Sequence, residues 1–312
     1  MVNKCDKKKT GKLFSKKNDR FFIAAMLALP LLHFAVFTCY INISSLVMAF
    51  QDLDFATNQE YFVGFGNFTR FFKEFTQVPS WKSAIKNSAL YFPVTNFITL
   101  PLSLIAAYFL FRKVPLSGCY KIVFFFPSII SIVVLAMVYR NMLDPTTGPV
   151  CLLLKKLGMT DETVPLFLSD PKFAMPSVYF YAIWAGIGFN VVMLSGAIGR
   201  VPVEVMESAR LDGVGLMREL FQIVTPIIWP TISTLFVFGA MTVFTQFMQP
   251  MILTPNGLGD TWTIAYLVVS KVQGGVDLYY SAALGLLFTA VGLPVVMGVK
   301  KLIENIFDVV ET

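Results

Sequence analysis

Six long apolar segments constrain this chain more than any other feature of its sequence. Each reaches the roughly twenty residues that a helix needs to cross the hydrocarbon core of a membrane. Hydrophobic residues make up 56% of the 312 positions and charged residues only 14%, against about 25% charged in soluble domains. The sequence therefore predicts an all-α membrane protein with six transmembrane helices. These spans lie at approximately 21–50, 85–111, 119–142, 175–199, 227–252 and 280–300.

The distribution of lysine and arginine orients these spans. Eight of these residues lie in a basic tail, 1–20, which is also suited to bind anionic lipid head groups. With the N-terminus inside, the cytoplasmic segments hold 16 Lys and Arg residues and the outer loops hold 9, as the positive-inside rule requires. We therefore predict that both termini lie inside, with a transmembrane domain at 21–303 and a cytoplasmic C-terminal tail at 304–312.

Composition also excludes several classes of function. The net charge of +6 equals the excess in the first twenty residues, so it does not indicate nucleic-acid binding. The four cysteines have no metal-ligand spacing, and the single histidine lies within the first span. The phosphate-binding sequence G-x-x-x-x-G-K-[ST] is absent. We therefore expect no catalytic site, no metal and no cofactor on this chain.

Two outer segments have features of their own. The segment 253–279 contains glycines around an apolar centre that is too short to cross a membrane, so it either stays outside or forms a re-entrant loop. In the first outer loop, four phenylalanines recur at helical spacing and predict a short helix along the outer interface. They are Phe65, Phe68, Phe71 and Phe72.

The coupling loop (residues 201–226) is polar, strongly helical and predicted to be cytoplasmic. Pro202 suits the first turn of a helix, where its missing N–H is not needed. The negative charge of Glu204 is favourable near the positive N-terminal end of that helix. Gly213 can take the left-handed conformation that ends a helix, and a second helix is predicted over 216–223. Taken alone, such a loop could be an amphipathic connector that rests on the membrane.

The residues of this loop resemble the EAA motif of ABC importer permeases, through which the permease docks onto an ATP-hydrolysing subunit. The matching positions are Glu207, Ser208, Ala209, Asp212, Gly213, Ile223 and Pro226. Ser208 stands where the motif has alanine, and Thr225 stands where leucine is usual. The resemblance implies that the seven positions couple this chain to an ATPase.

Two outer sequences extend the resemblance to the carbohydrate branch of that family. Residues 64–68, GFGNF, followed by Asn87 and Ser88, are similar to an outer-loop signature of the branch. Residues 254–257, TPNG, are similar to a threonine- and glycine-rich turn after the fifth span. The resemblance implies the type I importer fold, the bacterial cytoplasmic membrane and the import of a sugar or oligosaccharide.

The same family implies a division of labour among several chains. A second permease subunit, in a heterodimer with this chain, would complete the membrane channel. Two ATP-binding subunits would bind ATP and magnesium, and an extracellular solute-binding protein would deliver the substrate. On this hypothesis the present chain is a transport subunit without catalytic activity.

Polar and aromatic residues of the fourth and fifth spans are candidates for contact with a sugar. Carbohydrate sites combine aromatic faces with amide and hydroxyl groups. Hydrogen bonding between helices explains the buried amides equally well. The candidate pathway residues are Tyr181, Trp184, Asn190, Thr245, Gln246 and Gln249.

Two alternatives remain open at this point. An ABC permease for a polyamine or a phosphate ester would share the coupling loop and differ only in substrate. An autonomous secondary carrier or channel would need no ATPase. The spans contain almost no Asp or Glu and no evident inverted repeat, and both observations count against an ion-coupled carrier.

Overall fold

The described part of the chain is mainly helical, with one antiparallel hairpin. In the computed structural model, the described residues are 16–54, 57, 59–112, 115–274 and 277–306. Most of the predicted tails, 1–20 and 304–312, lie outside these residues.

Helices of very different lengths follow one another along the described residues. The first half contains α1 (Lys16–His33), a π-helical stretch (Phe34–Tyr40), α2 (Ile41–Met48), β1 (Gln51–Asp54), β2 (Gln59–Phe62), α3 (Gly66–Gln77), α4 (Pro79–Pro93), a π-helical stretch (Val94–Thr99), α5 (Leu100–Phe111), α6 (Ser117–Ile129), α7 (Ile132–Met142) and α8 (Pro149–Lys156). The second half contains α9 (Ala174–Ile198), α10 (Val203–Leu211), α11 (Leu216–Glu219), a π-helical stretch (Leu220–Val224), α12 (Thr225–Ile227), α13 (Trp229–Thr245), α14 (Met248–Leu253), a 3-10 turn (Pro255–Gly257), α15 (Ile264–Gln273) and α16 (Leu278–Glu304).

Four helical segments are long and apolar enough to cross a membrane by themselves. They are Phe21–Met48, Pro79–Phe111, Ala174–Ile198 and Leu278–Glu304. Two further segments meet the same test only as bent pairs, α6 with α7 at 105° and the helices from Leu216 to Thr245 at 82°. The described residues therefore provide four candidate spans, or up to six if each bent pair is one span.

The third predicted span, 119–142, is not one continuous helix. α6 ends at Ile129, and Ile130 has extended backbone angles, with φ −78° and ψ 143°. Pro127 removes a hydrogen bond from the last turn of α6, and Ser131 occupies the N-cap position of α7. Pro127 and the extended backbone at Ile130 are the local features of the break, since Ser131 makes no side-chain capping bond, and periodicity alone does not reveal it.

The fifth predicted span, 227–252, also ends earlier than expected. α13 ends at Thr245, and α14 begins at Met248 after two non-helical residues. Pro250 has no N–H, so it cannot donate the helical hydrogen bond to the carbonyl of Gln246. That carbonyl instead accepts a hydrogen bond from Thr263 Oγ1 at 2.5 Å. After this break the chain enters the segment 253–279, whose helix α15 has only 10 residues.

Three apolar clusters hold the other elements together. The first joins α5, α9 and α13 to α10 and to the π-helical stretch of the coupling loop. The second joins α4, α7, α9 and α14, and the third joins α3, α4, α15 and α16. Among the described residues, none of the cluster members belongs to α1 or α2. The most apolar window of the first span is 0% buried by the rest of the chain, so this helix depends on lipid or on another chain for its contacts.

Candidate functional site

Helix α10 of the coupling loop has one face against the chain and another face exposed. Met206 and Ala209 are only 4% and 5% exposed, and Met206 belongs to the first apolar cluster. Glu207 and Ser208 lie on the exposed face, and Leu211 at the end of the helix is 89% exposed.

The turn after α10 depends on the backbone of Gly213. This glycine has a φ of +70°, in the left-handed region, as the sequence predicts. The N–H of Val214 donates to the carbonyl of Ala209 at 3.1 Å, and the N–H of Asp212 donates to that of Ser208 at 3.0 Å. The first of these is the six-residue bond of a Schellman motif. It ends α10 and sets the direction in which the next helix starts.

The helix after this turn carries the last two motif positions. Ile223 and Pro226 are both partly buried. Helical structure continues to Ile227, beyond the predicted end at residue 223, before the 82° bend. Thr225, which stands where the family has leucine, donates both its N–H and its hydroxyl to the carbonyl of Leu220. The substitution therefore adds a hydrogen bond within the π-helical stretch.

A buried ion pair joins the coupling loop to the second span, and sequence reasoning missed it. Glu219 is 0% exposed, and its Oε2 accepts a hydrogen bond from Arg112 Nη2 at 2.6 Å. The two residues are 107 positions apart, so no local pattern connects them. The signals in the sequence were an arginine at the end of an apolar span and an acidic residue directly before Leu220, a core residue.

The asparagine of the outer-loop signature holds the end of the first span. Asn67 is 3% exposed, and its Nδ2 donates to the carbonyls of Ala49 and Gln51 at 3.2 and 2.9 Å. Phe71 from the same outer helix, α3, is buried against Trp81, with 5.1 Å between ring centroids. The predicted helix is present as α3, Gly66–Gln77, with Phe65 as its N-cap residue, and it is anchored on the chain through Phe71. Its place along the outer interface stays a prediction.

Asn87 and Ser88 hold the outer connection between the fifth and sixth spans. Asn87 Nδ2 donates to the carbonyls of Asp260 and Trp262 at 2.8 and 2.9 Å. Ser88 Oγ accepts from the N–H of Ile264 at 2.9 Å. Asn87 and Ser88 therefore contact residues 260–264, which follow shortly after the second of the two resembling sequences, residues 254–257.

The turn at residues 254–257 is compact and depends on Gly257. Its φ is +67°, and a Cβ atom at this position would overlap Cε2 of the Trp262 indole ring. Thr254 is 0% exposed, and its hydroxyl contacts the hydroxyl of Thr261 at 2.5 Å. A glycine that is packed on an aromatic ring in this way cannot be replaced without movement of the turn.

An ionic cluster joins α3 to α15 and to the start of α16. Arg70 contacts Glu74 and Asp277, each at 2.9 Å, and Lys271 contacts Glu74 at 3.2 Å. The hydroxyl of Tyr280 also donates to Glu74, at 3.0 Å. Burial by itself would raise the pKa of Glu74, but Lys271, Tyr280 and Arg70 together hold that pKa below its ordinary value.

The aromatic candidates for the pathway lie together beside α7. Tyr181 is 0% exposed, and its hydroxyl donates to the carbonyl of Ile132 at 3.2 Å. Trp184 is partly buried, with its ring 6.2 Å from that of Tyr181 and 6.5 Å from that of Tyr139. In this conformation Tyr181 is a packing residue that holds the start of α7, whereas Trp184 retains an accessible side.

The polar candidates have different environments. Asn190 is partly buried, and Thr245 is exposed with its hydroxyl bonded to the carbonyl of Met241 at 3.1 Å. Gln246 contributes the carbonyl that Thr263 binds. Gln249 is 7% exposed, and its amide oxygen has no hydrogen-bond partner among the described residues. Thr245 faces an apolar groove of about 470 Å³ between α13, α15 and α16, so the six candidates do not form one cavity within this chain.

Among the described residues, no group of three or more His, Cys, Asp or Glu side chains is placed to hold a metal. The arrangement instead offers an exposed helix on one side and a tightly bonded polar loop assembly at the other ends of the spans.

Comparison with known proteins supplies a family and several relatives. The model of the family described as "Binding-protein-dependent transport system inner membrane component" matches residues 99–305. The diacetylchitobiose uptake system permease protein NgcF of Streptomyces coelicolor is 28% identical, over 87% of this chain and 79% of NgcF. The sn-glycerol-3-phosphate transport system permease protein UgpA of Yersinia pestis is also 28% identical, over 87% of this chain and 91% of UgpA.

A solved structure gives the fold independently. A chain in the crystal structure of a bacterial ABC transporter that imports the acidic polysaccharide alginate matches with a TM-score of 0.79. The match covers 95% of the present chain and 99% of the other, at 23% sequence identity. The helical architecture described above is therefore the fold of that transporter chain.

Proposed function

Because this chain belongs to the family of binding-protein-dependent transport system inner membrane components, we propose that it is a permease subunit that carries a sugar or oligosaccharide into the cell in an ATP-driven importer. The observation that carries this proposal is the exposed face of α10, held by the turn at Gly213. The chain is a transport component of a membrane, and its energy comes from a separate ATPase.

The coupling loop is the proposed docking site for that ATPase. Glu207 and Ser208 would contact the partner directly, and Leu211 would enter a hydrophobic recess of the partner. Ala209 would hold the helix on this chain, since it is buried. Asp212, Gly213, Ile223 and Pro226 would set the angle between the two helices of the loop. ATP and magnesium would be bound by the ATPase and not by this chain.

The proposed topology has six spans with both termini inside the cell. Each bent pair would then count as one span, so that α10 lies on the cytoplasmic side, where ATP is available. The assembly of α3, Asn87 and residues 254–263 would lie outside, in position to meet a solute-binding protein. The Lys and Arg distribution supports this orientation. The chain is proposed to be a multi-pass protein of the bacterial cytoplasmic membrane.

The proposed complex contains a second permease, two ATP-binding subunits and a solute-binding protein. The first span supports the presence of another membrane chain, because its apolar window is not buried by its own chain. A related transporter is known in complex with a periplasmic protein that binds an alginate pentasaccharide. The second permease is proposed to be a different chain, so that the transporter is a heterodimer in the membrane.

The proposed substrate is an uncharged sugar or oligosaccharide, as in the NgcF system. α9 and α13 contain no Lys or Arg, whereas a phosphate ester is usually bound by such side chains. UgpA nevertheless makes a phosphate ester the second candidate.

Among the pathway candidates, Trp184, Asn190 and Gln249 are proposed to meet the sugar, since Gln249 has an unused amide oxygen. Thr245 and Gln246 are proposed to line the outer part of the same route, and Tyr181 to support Trp184.

Reconstitution in liposomes tests the proposal. The chain would be purified with the permease, ATPase and solute-binding protein encoded beside it, and supplied with diacetylchitobiose, arabino-oligosaccharides or glycerol 3-phosphate. We expect uptake of a neutral sugar that requires both ATP inside and the solute-binding protein outside. The chain alone, in matched liposomes, should give no flux.

Two results would contradict this function. Flux through liposomes that contain this chain alone would indicate an autonomous carrier or channel. Uptake of glycerol 3-phosphate but of no sugar would agree with an ATP-driven importer and would show that its substrate is a phosphate ester.

A further inference from the structure

A charged pair lies at an otherwise apolar boundary between the coupling loop and the second span. Glu219 has no exposed surface, and the side chain of Arg112 is 19% exposed. Leu110, two residues before Arg112, and Leu220, directly after Glu219, are both core residues of the first apolar cluster. Removing two charges from water is costly unless their geometry is well defined. This pair is therefore an unusual element of the boundary between the coupling loop and the second span.

The arginine of the pair has a fixed orientation. Arg112 Nε donates to the hydroxyl of Tyr108 at 3.2 Å, and its guanidinium carbon lies 5.7 Å from the centre of the same ring. Tyr108 is 0% exposed and lies one turn earlier in α5. The guanidinium can therefore approach Glu219 from one direction only. A movement of α11 must either carry α5 with it or break the pair.

Other contacts of the coupling loop do not fix a direction in this way. Met206, Leu220 and Val224 pack against side chains of α5 and α9 through apolar surface. Apolar contacts are non-directional, so they specify the relative direction of two elements less strictly than a hydrogen bond does. A short charged hydrogen bond does not tolerate the same displacement.

We propose that Arg112 and Glu219 are positioning residues, which transmit movement of the docked coupling loop to the second span. The inference rests on the proposed function, because it requires an ATPase that moves α10. When that subunit pulls on α10, the turn at Gly213 moves α11, and Glu219 draws the end of α5 through Arg112. The pair has no role in binding substrate or ATP.

The energetics separate this role from simple stabilisation. Replacing a buried ion pair by apolar side chains of similar size is often neutral or stabilising, whereas removing one partner leaves a buried charge alone. The double variant Arg112→Met with Glu219→Met should therefore fold and assemble. In this variant, however, an apolar contact replaces the charged hydrogen bond, and such a contact does not fix the direction between the coupling loop and the second span.

The test uses the complete transporter in nanodiscs with its ATPase and solute-binding protein. The solute-binding protein would be loaded with diacetylchitobiose or an arabino-oligosaccharide, whichever the liposome assay shows to be taken up. Four forms would be compared: unmodified, Glu219→Gln, the double methionine variant, and the exchanged pair Arg112→Glu with Glu219→Arg. For each, the measurements are ATPase retained on purification, thermal stability, and ATP hydrolysis with and without the loaded binding protein.

We expect the double methionine variant to retain the ATPase and its thermal stability, and to lose the stimulation of ATP hydrolysis by at least about tenfold, within the usual range of coupling between sites. Glu219→Gln should lose stimulation as well, and the exchanged pair should recover part of it. Normal stimulation in the double methionine variant would overturn the inference, since an apolar contact would then suffice. Absence of stimulation in the unmodified transporter would instead refute the proposed function, and this inference with it.

Discussion

Replacing Gly213 with proline is expected to abolish ATP-driven uptake while the chain still inserts into the membrane in its normal amount. Gly213 has a φ of +70°, and proline fixes φ near −65°. The variant cannot form the bond from the N–H of Val214 to the carbonyl of Ala209, so α10 would leave its docking angle. We expect uptake to fall by about a hundredfold, near the upper range of typical coupling between two sites.

Gly215 provides the matched control for this substitution. It has a φ of −69°, which proline readily adopts, and a Cβ at this position meets no atom within 4 Å. Gly215→Pro should therefore retain most of the uptake, with both variants measured at equal membrane abundance in the liposome assay. Normal uptake by the Gly213→Pro variant would show that the angle of α10 has no part in coupling.

Replacing Gly257 with alanine is expected to destabilise the outer connection between the fifth and sixth spans. A left-handed backbone costs a residue with a Cβ about 1–2 kcal/mol. In addition, the new atom would overlap the ring of Trp262, and overpacking of this kind costs about 1–3 kcal/mol. We expect a clear fall in the melting temperature of the purified transporter and a loss of stimulation by the solute-binding protein.

The control for this variant lies at the end of the same connection. Gly274 has a φ of −68°, and a Cβ there would lie 3.6 Å from the carbonyl oxygen of Lys271, which is an ordinary contact. Gly274→Ala should leave both the melting temperature and the stimulation unchanged. If Gly257→Ala behaved in the same way, the turn at 254–257 would be tolerant of change, and its packing on Trp262 would have no importance for the protein.

Features that depend on neighbouring residues could be predicted from the sequence. The apolar segments, the phenylalanine-rich helix and the helix that ends at Gly213 each arise from spacing or from the conformational freedom of one residue. The match of the family model to residues 99–305 confirms the resemblance that these motifs indicated. The seven coupling positions and the pathway residues remain predictions, because their roles depend on partners and a substrate.

Features that depend on distant residues could not be predicted in this way. The break after α13 lies four residues before Pro250, which cannot donate to Gln246, and the carbonyl of Gln246 accepts its hydrogen bond from the distant Thr263 instead. The pairing of Arg112 with Glu219 likewise joins two elements 107 residues apart. Prolines are tolerated within membrane spans, so a hydropathy pattern shows neither where a span bends nor which residue stabilises the bend.

The central claim is that α10 meets an ATPase on the cytoplasmic side, and cross-linking at Ser208 tests it most directly. Ser208 is exposed, so a cysteine at this position, in a chain without its four native cysteines, can be labelled or joined to a partner. We expect Ser208→Cys to react with a membrane-impermeant maleimide only after the cells are opened, and to cross-link to the ATPase subunit in the assembled transporter. Labelling of Ser208→Cys in intact cells, or an assembled transporter in which it joins no ATPase, would contradict the claim.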